Sequence, residues 1–205
     1  MLYTIIDIET NGRSHISDVL EVGYMRVNKK MEVIQKGQFY FYKPEWEIEN
    51  QAQSVHGLQR SFLRTQCPDD ETFRENLVKL YTLMTRGVVI GKRSNKFDIP
   101  VLQCFLSAHM DNFVDYNMYG TLDMEDFYTD KFRDYYYKKF GVTTRKLGKL
   151  GELVEMIGYT QDQVKQEFIE TLGEESRAQA HGALYDVFMT YLLLKYAIEN
   201  YNLKI

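Results

Sequence analysis

Cysteine is scarce in this chain. Cys67 and Cys104 are its only two, and neither has the CxxC or Cys/His spacing of a disulfide framework or a structural zinc site. That usage fits a reducing compartment, so a cytoplasmic location is expected. Long apolar runs are missing as well. Nothing approaches the length of a membrane span, and no membrane partner is expected. The N-terminus lacks the basic-then-apolar pattern of a signal peptide, which Asp7 would interrupt in any case. Repeats, low-complexity tracts and linkers are absent, and 205 residues suggest one domain with a sizeable core. Positive charge is also short. A formal net charge of −4 excludes a protein that coats nucleic acid by charge alone. It leaves open a site where bound metal ions supply the positive charge and the acids that hold them make the sequence acidic.

What is present begins with Tyr3-Thr4-Ile5-Ile6-Asp7-Ile8-Glu9-Thr10-Asn11-Gly12. Ile5, Ile6 and Ile8 have the β-branched character of a buried strand, and Asn11-Gly12 ends it with turn chemistry. Side chains alternate along a strand, so Asp7 and Glu9 point to the same face. Two like charges at the end of an apolar strand repel each other and resist desolvation. A hard divalent cation between them, Mg²⁺ or Mn²⁺, satisfies both.

Strands are predicted next over 19–27 and 31–42, joined by a short hairpin at Asn28-Lys29-Lys30, with Pro44 ending the meander. A helical turn over 51–58 closes at Gly57. A helix starts near Pro68-Asp69-Asp70 and runs through Phe73, Leu77, Leu80 and Leu83/Met84. Gly87 to Gly91 reads as a buried strand. Asp98 reads as the cap of a helix with Pro100 in its first turn. Residues 120–124 suggest a short last strand. Leu147, Leu150, Leu153, Val154 and Ile157 form a helical stripe that stops at Gly158, and 160–172 suggests another short helix. Val187 to Ile198 is apolar on nearly every face, the mark of a buried helix. The order of elements predicts an α/β fold with a mixed five-stranded sheet between helices.

Asp186 stands at the head of that apolar helix, where a carboxylate is costly unless paired or metal-bound. His181 precedes it by five positions, a turn of about 140° on one continuous helix. The easier picture puts His181 on the loop before the helix, free to swing toward a substrate as a general base.

Asp7-Ile8-Glu9-Thr10, Phe97-Asp98-Ile99-Pro100 and His181-Gly182-Ala183-Leu184-Tyr185-Asp186 together resemble the three motifs of the DEDDh exonucleases, the DnaQ-like branch of the ribonuclease-H-like superfamily. Leu20-Glu21-Val22-Gly23, Val55-His56-Gly57-Leu58 and Leu122-Asp123 are similar to further family segments, as is Arg145-Lys146-Leu147. The resemblance spans nearly the whole chain and implies a single exonuclease domain, 1–205. It implies that Asp7, Glu9, Asp98 and Asp186 bind two ions, Mg²⁺ or Mn²⁺, and that His181 accepts a proton from water. The implied product is a nucleoside 5′-monophosphate taken stepwise from a 3′ end. Single-stranded DNA is the expected substrate, RNA an alternative, and a polymerase or other replication protein a candidate partner.

Thr10, Asn11 and Asn95 are candidates for contacting the terminal nucleotide, with turn chemistry an equal reading for the first two. Lys92, Arg93 and Lys96 are candidates for phosphate contacts, and Tyr135 to Phe140 for a stacking platform. For these two groups a solvated surface is the stronger reading. The chain departs from the family at its second motif. The usual His-Asn-x-x-Phe-Asp is Arg93-Ser94-Asn95-Lys96-Phe97-Asp98 here. That change motivates a different alternative, a nuclease-fold binding subunit with little activity of its own.

Overall fold

The computed structural model describes residues 1–111, 120–129, 131, 148–173 and 182–204. The expectations for Tyr135 to Phe140, for Arg145-Lys146-Leu147 and for His181 lie outside these residues.

Five strands form one sheet in the order β3-β2-β1-β4-β5. β1 (Tyr3–Thr10), β2 (Val19–Val27) and β3 (Val33–Tyr40) make the antiparallel meander; β4 (Val88–Gly91) and β5 (Thr121–Asp123) run parallel to β1. The third strand starts later than the sequence suggests, because the connection before it takes more residues, and it ends at Tyr40 rather than at 42. Asn28 Oδ1 accepts from the amides of Lys30 (2.8 Å) and Glu32 (3.1 Å), and Met31 adopts a left-handed φ of 62°. Residues 28–32 are therefore spent on a turn.

Helices cover both faces of the sheet. After α1 (Asn50–His56), the helices α2 (Arg60–Gln66), α3 (Asp70–Thr85) and α4 (Asp98–His109) pack on one side. On the other lie α5 (Leu150–Met156), α6 (Gln161–Leu172) and α7 (Ala183–Tyr201). Residues 124–129 are also helical. Gly57 closes α1 in the left-handed conformation with φ 69°, and the Asp69 side chain caps α3 by accepting from Thr72. Both follow from the turn and cap chemistry of those residues.

β1 is packed on both faces, and its alternation sorts the two cores. Ile6 and Ile8 join Leu77, Leu80, Leu102 and Phe105 of α3 and α4. Tyr3 and Ile5 join Phe188, Leu192 and Leu193 of α7. Asp7 and Glu9 continue the row of Tyr3 and Ile5, so the strand's pleat aims both carboxylates at the α7 side. Among the described residues, no helix is long and apolar enough to cross a membrane.

Candidate active site

Register and a close helix crossing build the site. Asp7 lies opposite Gly23 of β2, and Glu9 lies opposite Glu21. The start of α7 rests directly on Gly23. A Cβ there would sit 2.4 Å from the Ala183 carbonyl carbon and 2.5 Å from the Leu184 nitrogen. Only glycine lets the helix come this near. Buried Glu21 adds a tether, with Oε2 accepting from the Ala183 amide at 3.4 Å, at the end of the helix that favours a negative charge. The first turn of α7 then carries Asp186 over the end of β1.

Asp98 arrives from the opposite side. The sequence suggests a helix cap, but Asp98 is the first helical residue, and Phe97 takes the cap position without a side-chain bond. The reason is tertiary. The Ile99 amide donates to the Ser94 carbonyl at 2.9 Å, which closes the helix start without a side chain. The Asp98 carboxylate turns instead to its own amide and that of Ile8 on β1.

The loop before Asp98 is held by a residue that neither composition nor periodicity marks. Asp123, buried at the end of β5, accepts from the amides of Arg93 (2.9 Å), Asn95 (3.2 Å) and Glu125 (2.9 Å). Arg93 sits at a left-handed φ of 60°, and Ser94 is fully buried against Gly91. A carboxylate gripping backbone amides does not depend on which side chains that loop carries.

The acids feel one another. Burial pushes the Asp7 carboxyl well above its ordinary range, and Asp186, Asp98, Glu9 and Glu21 push it further. Glu9 is raised to about 9 by burial first, then by Asp186, Glu21 and Asp98. Asp98 rises to about 7, chiefly from burial. Its amide bonds oppose that rise, while Asp123 and Asp186 add to it. Among the described residues no three His, Cys, Asp or Glu side chains already stand close enough to cage an ion. The all-oxygen donor set of these acids suits a hard divalent cation.

Asp7 and Asp186 open onto a cleft of about 540 Å³, also lined by Lys92, Lys149, Tyr185 and Met189. The Lys92 ammonium is disfavoured by burial and by Arg93, and favoured by Glu125, Asp186 and Asp7.

The four motif acids are thus within one another's field, and His181 lies outside the described residues. Asn11 and Thr10 serve the β1–β2 turn. Asn11 Nδ2 donates to Asp18 Oδ2 and Asn11 Oδ1 accepts from the Asp18 amide, both at 2.8 Å, while the Thr10 hydroxyl donates to the Gly12 carbonyl. Asn95 is exposed on the loop that Asp123 holds. Glu21 is the member that reading acids singly misses. Its signal is a carboxylate in β2, a strand buried along its whole length, across from Glu9.

No family model matches the chain, and no curated protein does. Solved structures do. The zinc-bound complex of Escherichia coli exonuclease I with single-stranded DNA superposes with a TM-score of 0.68 at 17% identity, over 97% of this chain and 40% of that one. A product-bound exonuclease I gives 0.70 at 16% identity, over 98% and 44%. The metal-free form of the E. coli complex gives 0.68 at 16%, over 97% and 40%. This chain spans about two fifths of the length of those proteins, and it shares with them the ribonuclease-H-like fold.

Proposed function

We propose that this protein is a divalent-metal-dependent 3′→5′ exonuclease of the DEDDh type, acting on single-stranded DNA. The observation that carries the reading is the gathering of Asp7, Glu9, Asp98 and Asp186 from β1, α4 and α7 into one electrostatic group. The fold supports it, being that of exonuclease I, whose structures include complexes with single-stranded DNA, a product complex, and zinc-bound and metal-free forms. A cleft of about 540 Å³ beside two of the acids is within the usual range for a small-molecule site, and so for a strand's last nucleotide.

Asp7, Glu9, Asp98 and Asp186 would hold Mg²⁺ or Mn²⁺. When bound, such ions supply Lewis-acid stabilisation of the charge that builds on a phosphodiester during in-line attack. The chain's own part is to orient and to exclude. The β1 pleat aims two carboxylates at one spot, Gly23 and Glu21 fix the start of α7, and Asp123 fixes the start of α4. His181 would take the proton of the attacking water.

The test is degradation of 5′-labelled single-stranded DNA, duplex DNA and RNA of matched sequence, with Mg²⁺, Mn²⁺ or EDTA. The single-stranded DNA is expected to shorten by one nucleotide at a time with either ion, fastest among the three, and to stay whole in EDTA. No shortening with either ion would end the proposal.

The raised carboxyls also set a stability profile. A carboxyl whose folded pKa exceeds its unfolded value stabilises the fold below the unfolded pKa and loses that contribution as pH rises through the folded one. For Asp98 the window runs from 3.8 to about 7, and for Glu9 from 4.5 to about 9. In EDTA, the melting temperature is expected to fall between pH 5 and pH 9, by roughly 5 °C or more. Mg²⁺ or Mn²⁺ should remove most of that fall, because a bound cation offsets the repulsion. A melting curve independent of pH in EDTA would contradict the shared field.

A further inference from the structure

Three cations precede α4, and the structure separates them. Arg93 Nε lies 3.4 Å from Glu125 Oε2. Lys96 Nζ lies 3.1 Å from Asp126 Oδ1 and 4.0 Å from Glu125 Oε1. Both thereby have acidic partners. Lys92 follows β4 directly and lines the cleft with Asp7 and Asp186. Among the described residues, no hydrogen bond or ion pair within contact distance engages its ammonium. This half-buried lysine feels Glu125 most and then Asp186 and Asp7, with none of the three in ion-pair contact, and its place on the cleft wall leaves it able to meet an anion that enters.

We propose that Lys92 binds a backbone phosphate of the substrate strand inside this cleft. The inference rests on the exonuclease reading and adds the phosphodiester contact that the acids cannot make. A strand entering between Asp7 and Asp186 meets negative charge first, and a fixed cation on the wall offsets that repulsion independently of any ion. Lysine suits the task. Its ammonium is a point charge that accepts a phosphate from many directions, so it grips without reading sequence. Lys149, exposed at the start of α5, lines the same cleft and carries a second positive charge at its mouth. The nearby acids of that wall have partners: Glu152 Oε2 accepts from the Lys149 amide at 3.0 Å, and Glu155 Oε1 accepts from Gln161 at 3.0 Å.

The experiment is binding of a fluorescent single-stranded oligonucleotide in EDTA, where no cleavage intervenes, across a series of salt concentrations. Each phosphate contact on a single strand contributes about 0.7 to the slope of log affinity against log salt. Lys92→Met keeps the apolar stem and removes the charge. It is expected to lower the slope by about 0.7 and to weaken binding roughly fivefold at low salt, with Lys92→Arg restoring the slope. An unchanged slope in Lys92→Met would overturn the proposal. So would tighter Mn²⁺ binding with unaltered strand affinity, which would make Lys92 a placeholder for the metal. A wild type that binds no strand in EDTA yet shortens DNA with Mg²⁺ would overturn the proposal and leave the exonuclease reading standing, whereas one that neither binds nor shortens DNA with either ion would overturn that reading.

Discussion

Asp7→Asn will leave single-stranded DNA intact and will melt at a higher temperature than the wild type in EDTA. The two halves of this result come from one cause. Asp7 is disfavoured by burial and by four other carboxylates. The amide keeps the shape of the side chain and removes its charge, so the metal-free fold loses a repulsive member. A gain of a few degrees is the scale for removing about 1–2 kcal/mol of strain in a chain this size. The same change takes away an anionic oxygen donor, and activity should fall by roughly a thousandfold or more. Melting and degradation measured on one preparation check both. A stable variant that still shortens DNA at the wild-type rate would show that Asp7 has no part in the chemistry. A destabilised variant would show that its carboxylate is structurally paired.

The second large effect belongs to Gly23. Its neighbours at 2.4 and 2.5 Å are backbone atoms of Ala183 and Leu184, which cannot rotate away as a side-chain tip can. Gly23→Ala therefore forces the start of α7 off the sheet. Overpacking of this kind costs about 3 kcal/mol and lowers the melting temperature by on the order of 10 °C. Asp186 moves with the helix, so the loss should exceed what unfolding explains. At a temperature where the variant is fully folded, its degradation rate should still be at least about tenfold below wild type. Thermal melts paired with initial rates at low temperature separate the two effects. A variant with wild-type stability would mean that α7 does not rest on β2 as described.

Much of this architecture could be read from local pattern. The isoleucines of β1, the Phe73-Leu77-Leu80 stripe of α3 and the apolar run of α7 each carry their own periodicity, and each forms the expected element. What could not be read depends on pairing between distant segments. Asp98 looks like a cap in isolation, and only the neighbouring Ile8 amide redirects it. Glu21 faces Glu9 through strand register, which no single window contains. Asn11 reads as a turn residue in the sequence, but its partner Asp18 is supplied by the fold. Resemblance pointed to Asp123, but its three amide partners belong to segments that the fold brings together.

That last arrangement bears on what the loop before α4 tolerates. Because Asp123 holds the amides of Arg93 and Asn95, its grip needs no particular side chain at position 93 or 95. Position 94 is different: buried Ser94 sits tight against Gly91, so a larger side chain there would push the loop away from β4.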